Sequence, residues 1–206
     1  LWGTTGEKIS VAHRHGARSL TMIDVDATEN PSWGLFRERM NQLAIPGVRC
    51  LSRDLLAAAP QENDRFDIVH CSGVLYHLPN PMLGLTRLRN LTREYLILTS
   101  LVTATTITTP RGTLIIPEAS GLFIPALKHR EKEIFAAYWK PFAGQFFDCM
   151  GLGAPESTWR LDHYSRWWLL PTEGYFRSMS QIAGFEICDS GYFWHGNACA
   201  LLLKAR

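Results

Sequence analysis

The chain has 206 residues, 46% of them hydrophobic, enough to bury the core of one domain, and its formal net charge of +2 includes no block of like charges. That balance argues against a dedicated surface for duplex nucleic acid or for an anionic membrane. The longest apolar runs, such as Ala198 to Leu203, fall far short of the ~20 residues a membrane-spanning helix needs, so no membrane partner is expected, and no signal-peptide pattern opens the chain.

The cysteines Cys50, Cys71, Cys149, Cys188 and Cys199 are widely spaced and form no CxxC pair. Neither a zinc cluster nor a disulfide framework is indicated, no metal is expected, and a reducing cytoplasm is the expected setting. The chain opens on Leu1-Trp2-Gly3 rather than on Met, at what reads as the end of a strand, and is expected to be truncated at its N-terminus.

In chain order, Gly6 to Gly16 predicts a short helix with Ile9, Val11 and Ala12 on one face, ending at a glycine suited to a left-handed cap. Ser19 to Asp24 reads as a buried-type strand. Asn30-Pro31 opens a helix by the proline-in-the-first-turn rule. Trp33, Phe36, Met40 and Leu43 then recur at helical spacing through Ala44, and Pro46-Gly47 stops it. Strands are expected at Val48 to Ser52, Arg65 to Cys71 and Arg93 to Val102, with a helix from Pro81 to Leu91 between the last two. Strands separated by helices point to βαβ units and a mostly parallel sheet. From Thr103 to Leu170 the rhythm breaks into Thr-rich and aromatic-rich sequence, which is expected to be an insertion within a single domain spanning 1–206. Pro171 precedes a helix through Ala183, and strands at Glu186 to Phe193 and Asn197 to Ala205 meet at a Trp194-His195-Gly196 turn.

Four motifs carry chemistry. Gly3-Thr4-Thr5-Gly6-Glu7 stands before a helix, where small residues admit a ligand to the backbone and the helix N-terminus favours anionic groups; such a turn is also often only a turn. Asp24 ends the second strand, 18 residues beyond Gly6, where an acid can accept both hydroxyls of a ribose. Asp26 competes for that role, and Asp24 is preferred because it directly terminates the apolar run. Asp54, again at a strand end, can accept from an exocyclic amine while the amide of Leu55 supplies a donor; the alternative is an N-cap for a helix from Leu55 to Ala59. The longest signal is Phe66-Asp-Ile-Val-His-Cys-Ser-Gly-Val-Leu-Tyr-His-Leu-Pro-Asn-Pro81, in which a buried strand runs into small Ser72 and Gly73, then Tyr76 and His77.

This last stretch resembles the class I S-adenosylmethionine-dependent methyltransferases, whose fourth strand commonly leads into a VLxHL segment and a proline turn. The resemblance covers roughly residues 1–102 and 171–206. It implies a Rossmann-like, doubly wound α/β fold with an antiparallel C-terminal strand, and residues 103–170 as a substrate-covering insertion. It implies S-adenosyl-L-methionine as cofactor, with Gly3, Thr4 and Gly6 toward its methionine end, Asp24 on the ribose, Asp54 and Leu55 on the adenine, and Cys71, Ser72 and Gly73 beside the sulfonium. Trp2 departs from the pattern, standing where a glycine is usual. Residues Gly73 to His77 with Trp167-Trp168 and Gly184-Phe185 look like the subset acting on small molecules or sugars; they also look like the enzymes that modify the wobble uridine of transfer RNA, which therefore stays open as a partner.

Methyl transfer asks the protein mainly to align a nucleophile and exclude water. A hydroxyl acceptor profits from a general base, for which His77 leads and His163, Tyr164 and His195 are reserves; the alternative is that His77 only braces its loop. Tyr76, His163, Tyr164, Trp167 and Trp168 are the expected substrate contacts, with Tyr138-Trp139, Phe146-Phe147 and Trp159 as further apolar wall or ordinary core. Arg160 and Arg166 could meet a carboxylate or phosphate. Two other readings stand beside this one: a nicotinamide-dependent oxidoreductase, which the absence of G-x-G-x-x-G disfavours, and a non-catalytic relative that keeps the fold for binding. Oligomeric state is not indicated.

Overall fold

The computed structural model describes residues 6–57, 64–162 and 164–206, with side chains described at all of these except 143 and 145–147. Gly3, Thr4 and His163 lie outside the described residues, as do the side chains of Phe146 and Phe147. The chain divides into two compact units, residues 1–59 and 60–206.

In the first unit, helix α1 (Glu7–Arg14) is followed by strand β1 (Thr21–Asp24), helix α2 (Pro31–Gln42) and strand β2 (Arg49–Ser52). The boundaries follow from local chemistry. Asn30 accepts the amide of Ser32 at 3.0 Å and Pro31 occupies the first turn, so α2 starts where the sequence indicates. Strands β1 and β2 pair in parallel, from Thr21 opposite Arg49 to Asp24 opposite Ser52, and a parallel pair needs a crossover such as α2. Trp33, Phe36, Met40 and Ile45 form the core beneath them. Gly6 is part of the same packing: it is buried, its φ is +63°, and a Cβ there would lie 2.1 Å from Cε of Met40.

The second unit is built on a four-stranded sheet ordered β3 (Phe66–Ser72), β4 (Thr92–Leu101), β10 (Ala198–Ala205), β9 (Phe185–Phe193). Helix α3 (Pro81–Leu91) joins β3 to its parallel neighbour β4, and Asn80 caps it by accepting the amide of Leu83. Strand β10 lies antiparallel to both β4 and β9. Leu96, Leu98, Leu201 and Leu203 are fully buried on the two central strands. The sheet is mixed, with the expected antiparallel C-terminal strand set beside a parallel pair. Among the described residues the parallel ladders are β1/β2 and β3/β4, whereas the C-terminal strands return as a hairpin, which only antiparallel pairing allows.

Residues 103–170 hold more regular structure than their sequence suggests: a hairpin of β5 (Thr106–Thr109) and β6 (Gly112–Ile115), strand β7 (Gly121–Phe123) paired with β8 (Leu169–Pro171), and helix α4 (His129–Ala143). Ile107, Ile124, Phe135, Trp139, Trp167 and Leu170 pack into one cluster with Leu101 of β4 and Ala198 of β10, so this segment grows directly on the ends of the central strands. Its two ends meet: Thr103 donates its amide to the carbonyl of Pro171 at 2.8 Å, and Thr172 donates its own to Ser120 at 2.9 Å.

Thr172 holds this junction. Fully buried, its hydroxyl lies against the carbonyls of Glu118 and Ser120 and accepts the amide of Tyr175, capping helix α5 (Glu173–Ile182). Replacing it with Val, which keeps the shape and removes the hydroxyl, is expected to lower stability by about 1–2 kcal/mol, measured by urea denaturation, with Ser restoring most of the loss.

Candidate functional site

In the first unit the candidate residues gather at the carboxyl ends of the parallel pair. Asp24 is the last residue of β1, and its carbonyl accepts the amide of Arg53 at 2.7 Å, which brings the segment after β2 alongside it. Its Oδ1 accepts the amide of Asp26 at 3.0 Å. Burial raises the Asp24 carboxyl above its ordinary value, and the Asp26 amide works in the opposite direction. Asp26 is engaged differently: its carboxylate accepts the hydroxyl of Ser32 and its carbonyl accepts the indole of Trp33 at 3.0 Å, so it ties the loop to α2. Asp54 accepts the amide of Leu56 at 2.8 Å, closing a turn over residues 55–57 instead of capping a regular helix there. Residues 58 and 59, the end of the helix expected from Leu55, lie outside the described residues. Asp24, Asp54 and Leu55 are therefore neighbours. Between Asp24 and Asp26 stands Val25, 47% exposed, an apolar surface beside the acids that no polar motif in the sequence marks. Gly6, read as part of a ligand loop, sits at the head of α1 against Met40.

The second unit carries the other cluster. Strand β3 ends in buried Cys71 and exposed Ser72, and Gly73 turns the chain at φ +72° with its amide on the carbonyl of Thr99. A single 3-10 turn, Leu75–His77, follows. Trp168 donates its amide to the carbonyl of Tyr76 at 2.7 Å, and His77 uses Nδ1 to meet the carbonyl of Arg166 at 3.0 Å. The rings of Tyr76 and Trp167 stand edge to face at 5.5 Å, as do those of Trp139 and Trp167 at 5.1 Å, and Trp168 packs against Trp159 at 5.0 Å. Tyr76, His77, Tyr164, Trp167 and Trp168, distant in sequence, are thus brought together or onto one segment. His195 lies elsewhere, in the β9–β10 turn with φ +56° and its ring against Phe142. Arg160 pairs with Asp162 at the surface.

Burial lifts the Tyr76 phenol to about 12 and pushes His77 down to about 4; the carbonyls of Arg166 and Tyr164 only partly oppose the latter. The imidazole is 7% exposed and neutral at physiological pH. Because the unfolded chain takes up its proton near 6.5, the contribution of neutral His77 is complete above pH 6.5 and is lost as pH falls toward 4, up to about 3 kcal/mol. Urea denaturation at pH 7.5 and pH 5 is expected to show this loss, and His77→Gln to flatten the part that His77 causes.

No protein-family model and no curated protein sequence matches the chain. Solved structures do. An O-methyltransferase family protein from Burkholderia thailandensis superposes over 98% of this chain with a TM-score of 0.59 at 12% identity. The magnesium protoporphyrin IX methyltransferase from Synechocystis PCC 6803, with SAH bound, covers 98% of it at TM-score 0.56 and 14% identity, and itself is matched over 70% of its length. The fold is the one these proteins share. The [4+2]-cyclase SpnF has it too, at TM-score 0.58 and 11% identity over 98% of this chain and 71% of its own. The chain spans 48% of the Burkholderia protein, about half its length.

Proposed function

We propose that the chain is an S-adenosylmethionine-dependent methyltransferase acting on a small-molecule or sugar-type acceptor. The observation that carries this reading is the pair of strand ends in the first unit, where Asp24 terminates β1 and Asp54 follows β2 directly beside it. Two carboxylates at the carboxyl end of a parallel pair suit a nucleoside, because a carboxylate accepts hydrogen bonds and the ribose hydroxyls and the adenine amine can donate them. Val25 adds an apolar surface for a flat base. The likeness to methyltransferases supports the reading. The presence of a cyclase among the similar folds makes cofactor binding and methyl transfer two questions to be tested separately.

In this reading Asp24 holds the ribose, and Asp54 and the Leu55 amide hold the adenine. S-adenosylmethionine held there would supply a sulfonium-activated methyl group for an acceptor lone pair, with S-adenosylhomocysteine as the product that leaves. Tyr76, Tyr164, Trp167 and Trp168 orient the acceptor and keep water away. His77 acts as a positioning residue: with its pKa near 4 it is a weak base, and its Nδ1 is committed to the carbonyl of Arg166. Five free cysteines fit a reducing cytoplasm. Among the described residues no helix is long and apolar enough to cross a membrane.

Calorimetry tests the cofactor assignment. S-adenosylhomocysteine is expected to bind and NADH to give no response. Asp24→Ala is expected to weaken the former at least about tenfold, the loss of a charge-assisted hydrogen-bond pair. A chain that binds no nucleoside would return the reading to a scaffold.

A further inference from the structure

The second unit holds a small open cavity of about 270 Å³, lined by Asp148, Gly151, Leu152, Gly153, Ala154 and Arg166. Arg166 is held rigidly there. Its Nη1 donates to the carbonyl of Thr158 at 3.1 Å and to its hydroxyl at 2.6 Å, and the guanidinium lies over the ring of Trp159, 5.4 Å from the centroid. Gly151 makes room for this stack. Its φ is +72°, and a Cβ there would come within 2.9 Å of both Cδ of Arg166 and the Trp159 ring. A guanidinium clamped at one nitrogen and seated on an aromatic face has already lost much of its rotational freedom, which lowers the entropic cost of using the rest of its donors.

Nε and Nη2 of Arg166 and the consecutive amides of Leu152 and Gly153 take no partner among the described residues, whereas the neighbouring amides of Gly151 and Ala154 are paired internally. Asp148 also borders the cavity, yet among the described residues its carboxylate forms no ion pair with Arg166. The backbone of Arg166 is in turn fixed to the turn after β3 by the Nδ1 of His77, which gives the cavity a rigid link to the segment bearing Tyr76.

We propose that this cavity receives an anionic group, a carboxylate or a phosphate, carried by the acceptor substrate, with Arg166 as the residue that reads it. A planar guanidinium edge with two adjacent amides matches the oxygens of either group. That the anion belongs to the acceptor rests on the proposed methyl transfer; that the cavity binds an anion does not. Asp148 sets a second expectation, since its negative charge opposes any anion bound beside it.

Inorganic phosphate and acetate, titrated into the 206-residue chain at low ionic strength and followed by amide NMR, are expected to shift the Leu152 and Gly153 amides and the Arg166 Nε–H saturably; the tighter of the two names the group. Arg166→Gln is expected to weaken binding about tenfold or more, as the loss of a charge-assisted donor pair does. Asp148→Asn, at an exposed side chain that makes no hydrogen bond among the described residues, is expected to tighten it roughly two- to fivefold, and Arg160→Gln to leave it unchanged. The proposal is overturned if those amides do not shift, if Arg160→Gln costs as much as Arg166→Gln, or if Asp148→Asn weakens binding. S-adenosylhomocysteine binding on the same samples separates the two ideas. Retained nucleoside binding without phosphate binding removes the anion site alone, and the reverse removes the methyl-transfer reading alone.

Discussion

Two hydrogen bonds organise the second unit: the amide of Trp168 on the carbonyl of Tyr76, and the Nδ1 of His77 on the carbonyl of Arg166, the latter joining residues 89 positions apart. Closing so long a segment costs entropy that rises only with the logarithm of its length, so a few well-buried contacts suffice to hold it. Once Arg166 to Trp168 lie along the turn after β3, the surroundings follow. Trp167 meets Tyr76 and Trp139, Trp168 meets Phe123 and Trp159, and the Arg166 guanidinium settles over Trp159. Burial of His77 is the consequence, and with it a ring too weakly basic to carry a proton at neutral pH.

The cluster under residues 103–170 works by the same economy. Its strands are short and its helix α4 contains Pro141, so neither ladder hydrogen bonds nor helix propensity alone accounts for its order. The aromatic packing does. Trp139 is wholly buried and its indole Nε1 has no partner among the described residues, which costs on the order of 1–3 kcal/mol. Its edge-to-face contacts with Tyr138, Phe142 and Trp167, each worth about 0.5–1.5 kcal/mol beyond area burial, offset that cost. Tyr138 then reaches Asn197 at the head of β10 with its hydroxyl, 2.6 Å from Oδ1, tying the helix to the sheet.

Elements with strong local punctuation were legible from residues alone. Asn30-Pro31 marked the start of α2, and Pro81 that of α3, because a proline-fixed φ acts within one turn. Gly16 marked the end of α1 through its left-handed φ of +81°. The Thr-rich stretch was opaque for a physical reason. In β5 only Ile107 is buried, and Thr faces both sides of it, so no two-residue alternation survives. The β7–β8 pairing was invisible too, since it joins residues 121–123 to 169–171 and leaves no local period. Gly6 fits a recognisable ligand-loop pattern yet serves the packing of α2, because the same absence of a side chain that admits a ligand also admits Met40.

For this protein the sequence by itself determined the order of strands and helices outside residues 103–170 and the positions of Asp24 and Asp54 at strand ends, because caps, turns and burial period are all short-range effects. Only the tertiary structure decided that Asp26 is drawn to Ser32 and Trp33. It also decided that His77 is buried against the Arg166 carbonyl, and that Arg166 lines the cavity beside Gly151 whereas Arg160 pairs with Asp162. Those outcomes depend on burial and on partners many residues away. Neither quantity is a property of a residue type or of its neighbours in the chain.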